Sequence, residues 1–428
     1  MSSIKIHLRR NYLRYKNSLL FASSTFIVQG INAITLPIFT RLLTQADYGI
    51  LSASNSVQNF STAAFRLGTH QSVLKQYIEY SEEERNNYLF SVILFSFLWS
   101  LILTILLTLI YSIFEIRLFE NVDFYPYLLI SLCTAGFSVS YAAFQSQLRV
   151  LNLSKKFISL SVIYVVSSVL LSIVLITIFK LGVIGKLLGN FIPYFFIFFY
   201  ILFKSKNLPN IKYWFSAIRF GTPLSISSLS ASAFMVYTIS LLSHKVSLNE
   251  MGIYQIGRNL GLLIPQFLFQ AITLTYVPFI YNKLRGNELF EITKVNTRII
   301  LGFIVIIISG IVLARFVVLI FTTTEYLTAI PLIQIFFFGF LFKVVSFLPM
   351  ISLFHANKTK QVSIIEIISS IVFLGFIHWL IPVYGILGVA ISFLFQDFLK
   401  MLGFQLYSSL QIKEVFNLKS ISFKNDKF

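Results

Sequence analysis

Apolar runs at or beyond the ~20 residues that a bilayer-spanning helix needs recur from end to end of this chain, as at 87–114, 156–179 and 361–383. Water cannot host that many such runs on the surface of one chain. They do not alternate either, as the strands of a membrane barrel would. The expected fold class is therefore all-α integral membrane. Charge agrees: 12% of the 428 residues are charged, against about 25% in a soluble domain. About twelve spans are expected, at roughly 17–43, 47–78, 87–114, 124–147, 157–179, 182–204, 214–243, 248–280, 297–321, 330–354, 361–383 and 384–408.

The first run follows the basic stretch "KIHLRRNYLRYK" and continues to about Leu43. That is longer than the apolar core of a cleaved signal, so it reads as a span. Cys133 is the only cysteine, which excludes a disulfide within the chain and a cysteine metal site. An even number of spans places both termini on one side. With that side cytoplasmic, 22 of the 34 Lys and Arg residues fall on inner segments and 6 on outer edges, so the positive-inside rule sets both termini inside. The same bias accounts for most of the +18 net charge without a nucleic-acid partner.

One polar corner occurs twice. "RLLTQADYGIL" (41–51) and "HKVSLNEMGIY" (244–254) pair Thr44 with Ser247, Asp47 with Glu250 and Gly49 with Gly252 at an offset of 203 residues. Thr-x-x-Asp and Ser-x-x-Glu both read as capping boxes at a helix start. The same offset pairs Lys155 with Lys358, Gly182 with Gly385 and Gly185 with Gly388. The expectation is two pseudo-symmetric six-helix lobes, 1–204 and 214–408, joined by a cytoplasmic linker at 205–213 and followed by a cytoplasmic tail at 409–428. Halves with an even number of spans form parallel repeats, an architecture of alternating-access transporters.

The segments "LPIFTRLLTQADYGI", "SLNEMGIYQIGRNLG", "LFHANKTKQVSI" and "LIPVYGILGVAIS" resemble the polysaccharide biosynthesis transporters, or O-antigen flippases. These belong to the superfamily that also holds multidrug-and-toxin extruders and lipid II flippases. The resemblance runs over nearly the whole chain. It implies the extruder-like transporter fold in a bacterial inner membrane. It also implies export of an undecaprenyl-pyrophosphate-linked oligosaccharide of O-antigen, capsule or exopolysaccharide from inner to outer leaflet. Implied partners are that lipid-linked oligosaccharide, membrane lipids, a polysaccharide polymerase and a chain-length regulator. The chain departs from the family at Lys75 in "HQSVLKQY", where an arginine is expected.

No constellation for an enzyme is visible. The five histidines, His7, His70, His244, His355 and His378, are scattered and show no zinc or nucleophile spacing. No GKS or GKT phosphate loop occurs, so neither ATP hydrolysis, nor a cofactor, nor a catalytic residue, nor a metal is expected. Polar stripes on the spans carry more information. Ser52, Asn55, Asn59 and Arg66 share one helical face, as do Gln255, Arg258, Asn259, Gln266 and Gln270; Gln29 and Asn32 form a shorter stripe with Thr25. The offset places Arg258 on Asn55, so the two stripes are equivalent, and Arg66 and Arg258 are expected to face one central cleft.

The bland alternative is interhelical hydrogen bonding by the amides. It fits the arginines less well, because an arginine at the bilayer centre costs about 2.5–3.5 kcal/mol on insertion scales and so faces water or a partner. Lys343 is a third candidate for the cleft. Glu366 and Asp397, the carboxylates well inside spans, either couple an ion or pair with Lys343 or Lys400; pairing is the expectation. Cations suit a pyrophosphate, to which arginine binds bidentately, and amides suit sugar hydroxyls. A lipid II or teichoic-type precursor is the runner-up substrate, and a cation extruder of the same fold comes third.

Overall fold

The computed structural model describes residues 2–115, 117–204, 209–286, 289–356 and 358–411. The linker positions 205–208 and the tail from 412 lie outside them. Among the described residues there is no strand. The helices are α1 (Ser2–Leu42), α2 (Gln45–Arg66), α3 (Thr69–Gln76), α4 (Glu82–Phe114), α5 (Leu129–Val150), α6 (Ser154–Thr177), α7 (Gly182–Lys204), α8 (Ile211–Ser243), α9 (Leu248–Arg285), α10 (Leu289–Val312), α11 (Ala314–Phe321), α12 (Ile330–His355), α13 (Thr359–Tyr384) and α14 (Ile386–Gln411).

Among the described residues, nine segments are long and apolar enough to cross a bilayer, or up to eleven when the two bent helices α8 and α9 count as one span each. The expected twelve is not reached. The 47–78 segment is two helices: α2 ends at Arg66, Leu67 and Gly68 take left-handed backbone (φ 43° and 70°), and α3 restarts at Thr69. Serines and amides also make α2 more polar than its neighbours. The 297–321 segment is likewise divided, between α10 and α11 at Leu313.

The corners are built as their sequence requires. At the start of α2, the Asp47 N–H donates to Thr44 Oγ1 at 3.2 Å and the Thr44 N–H donates to Asp47 Oδ2 at 2.8 Å. At the start of α9, the Glu250 N–H donates to Ser247 Oγ at 3.3 Å and the Ser247 N–H donates to Glu250 Oε2 at 3.0 Å. Each box satisfies two otherwise orphaned donors. A third, Ser81 with Glu84, opens α4; it has the same Ser-x-x-Glu spacing. The paired glycines have a steric reason. A Cβ on Gly49 would collide with the Leu248 carbonyl, and one on Gly252 with the Gln45 carbonyl. The two helix starts therefore pack backbone against backbone. The repeat also shows in Gly182 and Gly385, which adopt φ of 52° and 53°.

The chain divides into two compact units, Met1–Gly252 and Ile253–Phe428. In the first, α6 packs on α7 and α1, α4 on α5, and α5 on α7. Helix α8, expected to open the second lobe, packs on α2, α3 and α4. It crosses the α2–α3 break where Gly68 meets Gly221 so closely that a Cβ on either would strike the other's backbone or that of Leu67. The repeat boundary at 205–213 and the packing boundary inside α9 are thus different divisions of the chain. The second unit centres on α12, against which α10, α13 and α14 pack. Its core holds Leu332, Ile333, Phe337, Phe340 and Val344.

Candidate substrate-binding site

In the second unit, three helices turn polar side chains into one cavity of about 210 Å³. Helix α9 supplies Arg258, α12 supplies Lys343, and α14 supplies Phe393, Gln396, Asp397 and Lys400. The α14 residues fall at i, i+3, i+4 and i+7, which is one helical face. Gly339 of α12 lies in the wall, where the missing side chain leaves room. The Arg258 guanidinium sits 5.8 Å from the centre of the Phe393 ring and the Lys343 ammonium 5.3 Å from that of Phe340. Cation–π contacts of this kind hold a charge without neutralising it. Lys400 donates to Glu366 of α13 at 2.7 Å. Gln396 donates to Ser370 Oγ at 3.2 Å.

The cavity takes Arg258, Lys343 and Asp397 from the expected residues, while Glu366 reaches it through Lys400. Gln255 and Asn259 do not line it: Gln255 Nε2 donates to Asn259 Oδ1 at 3.3 Å on the same helix. Gln266, two turns past Arg258 and partly exposed, does not line it either. Sequence reasoning missed Gln396 and Phe393 and treated Lys400 only as a counter-ion. The i, i+3, i+4, i+7 spacing of 393, 396, 397 and 400 was the available signal.

In the first unit, Arg66 closes α2, and its Nε is buried with no hydrogen-bond partner among the described residues. Its last-turn position suits a cation, because the helix carbonyls point there. Tyr194 of α7 is close enough to interact with it electrostatically. Asn55 is half-buried and Asn59 exposed on α2; Gln29 is half-buried and Asn32 exposed on α1. A cavity of about 310 Å³ in this unit is lined by other residues, including Phe60 and Ser61 of α2 and Arg117, Glu120 and Asp123 of the α4–α5 loop. Lys75 is exposed, with its ammonium 4.7 Å from the centre of the Phe220 ring.

Bilayer-length apolar helices in this number define a multi-pass membrane protein, and their packing is that of a transporter fold. Solved structures show the same fold. An inward-closed lipid II flippase, MurJ, is similar with a TM-score of 0.75 at 19% identity, over 93% of this chain and 89% of that one. An inward-facing multidrug resistance MATE transporter of the MOP superfamily is similar with a TM-score of 0.68 at 13% identity, over 95% and 99%. A MOP superfamily transporter from Pyrococcus furiosus, whose binding pocket is described as having reverse polarity, is similar with a TM-score of 0.58 at 16% identity, over 94% and 96%. Identities this low show the fold and leave the cargo open. No curated protein matches the sequence. Residues 15–282 match the family described as polysaccharide biosynthesis protein; the chain belongs to that family.

Proposed function

We propose that this protein is a flippase that moves undecaprenyl-pyrophosphate-linked oligosaccharide units, of an O-antigen, capsule or exopolysaccharide, from the inner to the outer leaflet of a bacterial cytoplasmic membrane by alternating access. The carrying observation is the cation-rich cavity of the second unit. Arg258, Lys343 and Lys400 line it against one carboxylate, Asp397, with Glu366 engaged by Lys400. A buried diphosphate needs converging cations, and arginine offers it a fork of donors. A cation extruder would need carboxylates in that place. Family membership supports a role in polysaccharide assembly. Lipid II shares the pyrophosphate-lipid head group, so the glycan decides between these cargoes.

The test is export in cells and in vesicles of the full chain. Deleting the gene should cause a lipid-linked glycan to build up on the inner leaflet, and its sugars identify the cargo. Arg258→Ala should abolish export at normal protein abundance. Arg258→Lys should restore part of it, and Arg258→Glu should be the most damaging. Normal export by Arg258→Ala, or build-up of lipid II alone, overturns the reading. Orientation is tested by impermeant labelling in a Cys133→Ser background: Asn121→Cys should react from outside and Asn207→Cys, outside the described residues, only from inside.

A further inference from the structure

The first unit holds a second polar constellation, half-way along three bilayer-length helices. Tyr141 of α5, Tyr164 of α6 and Tyr194 of α7 bring their rings together. The Tyr164 and Tyr194 rings stack with centroids 4.2 Å apart, and Tyr141 lies 5.6 and 5.4 Å from them. Gln145, one turn beyond Tyr141, donates from Nε2 to the Tyr141 hydroxyl at 2.7 Å and to Ser161 Oγ at 3.1 Å. Arg66 of α2 is near enough to Tyr194 to interact with it electrostatically, with its buried Nε–H unpartnered and no ion pair among the described residues.

A purely packed aromatic core would be apolar and closed. This one carries three hydroxyls, an amide and a guanidinium, and Tyr164, Tyr194, Gln145 and Arg66 are each half-buried rather than buried. The Tyr141 hydroxyl and Gln145 are hydrogen-bonded within the cluster, so the donor left over is Arg66 Nε. A buried unpartnered donor is costly.

We infer that the Tyr141–Tyr164–Tyr194 cluster, with Gln145 and Arg66, is a sugar-binding subsite in the first unit that recognises a pyranose ring of the carried glycan. The C–H face of a pyranose lies against the electron-rich face of an aromatic ring. Its hydroxyls or acetamido carbonyl give Arg66 Nε the acceptor it lacks and give Gln145 a partner outside the protein. The inference rests on the reading of the chain as a carrier of lipid-linked glycans. It adds a residue set for sugar selectivity, separate from the cations at Arg258.

The experiment measures binding to the purified full chain of two probes: undecaprenyl pyrophosphate, and the same lipid bearing one N-acetylglucosamine. The wild-type protein should prefer the sugar-bearing lipid. Gln145→Leu and Tyr164→Phe, both chosen to keep the packing volume, should each lower that preference about fivefold, the size of one or two lost hydrogen bonds. They should leave the affinity for undecaprenyl pyrophosphate unchanged. Arg258→Ala should weaken both lipids alike. The inference is overturned if the wild type shows no preference, or if both conservative variants keep it. If Arg258→Ala changes neither affinity while Gln145→Leu removes the preference, the pyrophosphate reading fails and the sugar subsite stands.

Discussion

Helices α2 and α9 begin 203 residues apart, at Gln45 and Leu248, behind equivalent capping boxes, and end differently. Helix α2 stops at Arg66, before the left-handed pair Leu67 and Gly68. At the same offset, α9 carries Gln270 and Ala271 and runs on to Arg285 through Pro265 and Pro278. It bends by 42° between Thr273 and Thr275, where the Pro278 ring meets the carbonyl four residues earlier. A proline thus bent this helix without ending it, since its φ is already helical. The glycine ended the other because α8 crosses there, and Gly221 leaves no space for a side chain. The consequence is chemical. Arg66 is held at a helix terminus within electrostatic reach of Tyr194, whereas Arg258 projects from the middle of a helix into a cavity with other cations.

The largest expected effect tests that chemical contrast. Arg258→Ala should lower export about thirtyfold or more, as loss of a desolvated charged contact does, with abundance unchanged on a blot. Arg66→Ala should lower abundance as well, because it removes a cation from a helix end. Equal losses of export at equal abundance would mean that position in the helix is irrelevant. Next comes the break itself. Gly68→Ala places a side chain at φ 70° for about 1–2 kcal/mol and adds a backbone collision, so the melting temperature in detergent should fall steeply. The matching Ala271→Gly should cost only about 1 kcal/mol of helix propensity; similar falls would show that the break does not depend on Gly221. Thr44→Ala and Ser247→Ala should each cost about 1 kcal/mol, with cargo preference intact. A transport defect at normal stability would make that corner a gate. The smallest effect belongs to Lys75→Arg, which keeps the charge on an exposed site and should stay within about 0.5 kcal/mol.

Much of this was legible in advance because it is local. Apolar run length marks helices that a bilayer stabilises. A hydroxyl three residues before a carboxylate satisfies orphan N–H groups wherever the rest of the chain lies, so the corners at Thr44 and Ser247 could be read from their own residues. The 203-residue offset needed only comparison of the chain with itself. Gly49 and Gly252 were visible as a repeat, but the mutual approach of the two helix starts that requires them was not.

What the tertiary structure alone decided is non-local. The end of α2 depends on Gly221, some 150 residues away along the chain. Stripes of amides on α1, α2 and α9 share a face by spacing, yet spacing cannot say which face meets which helix. The cavity therefore took Arg258 and left Gln255 and Asn259 to bond each other. Lys400 and Gln396 became visible as cavity residues only once α12 and α14 packed together, and Tyr141, Tyr164 and Tyr194 became neighbours only through the packing of α5, α6 and α7. Hydropathy and capping act within a few residues of the chain. Helix ends, cavities and ring clusters are set by contacts between helices, and in this protein those contacts join segments far apart in sequence.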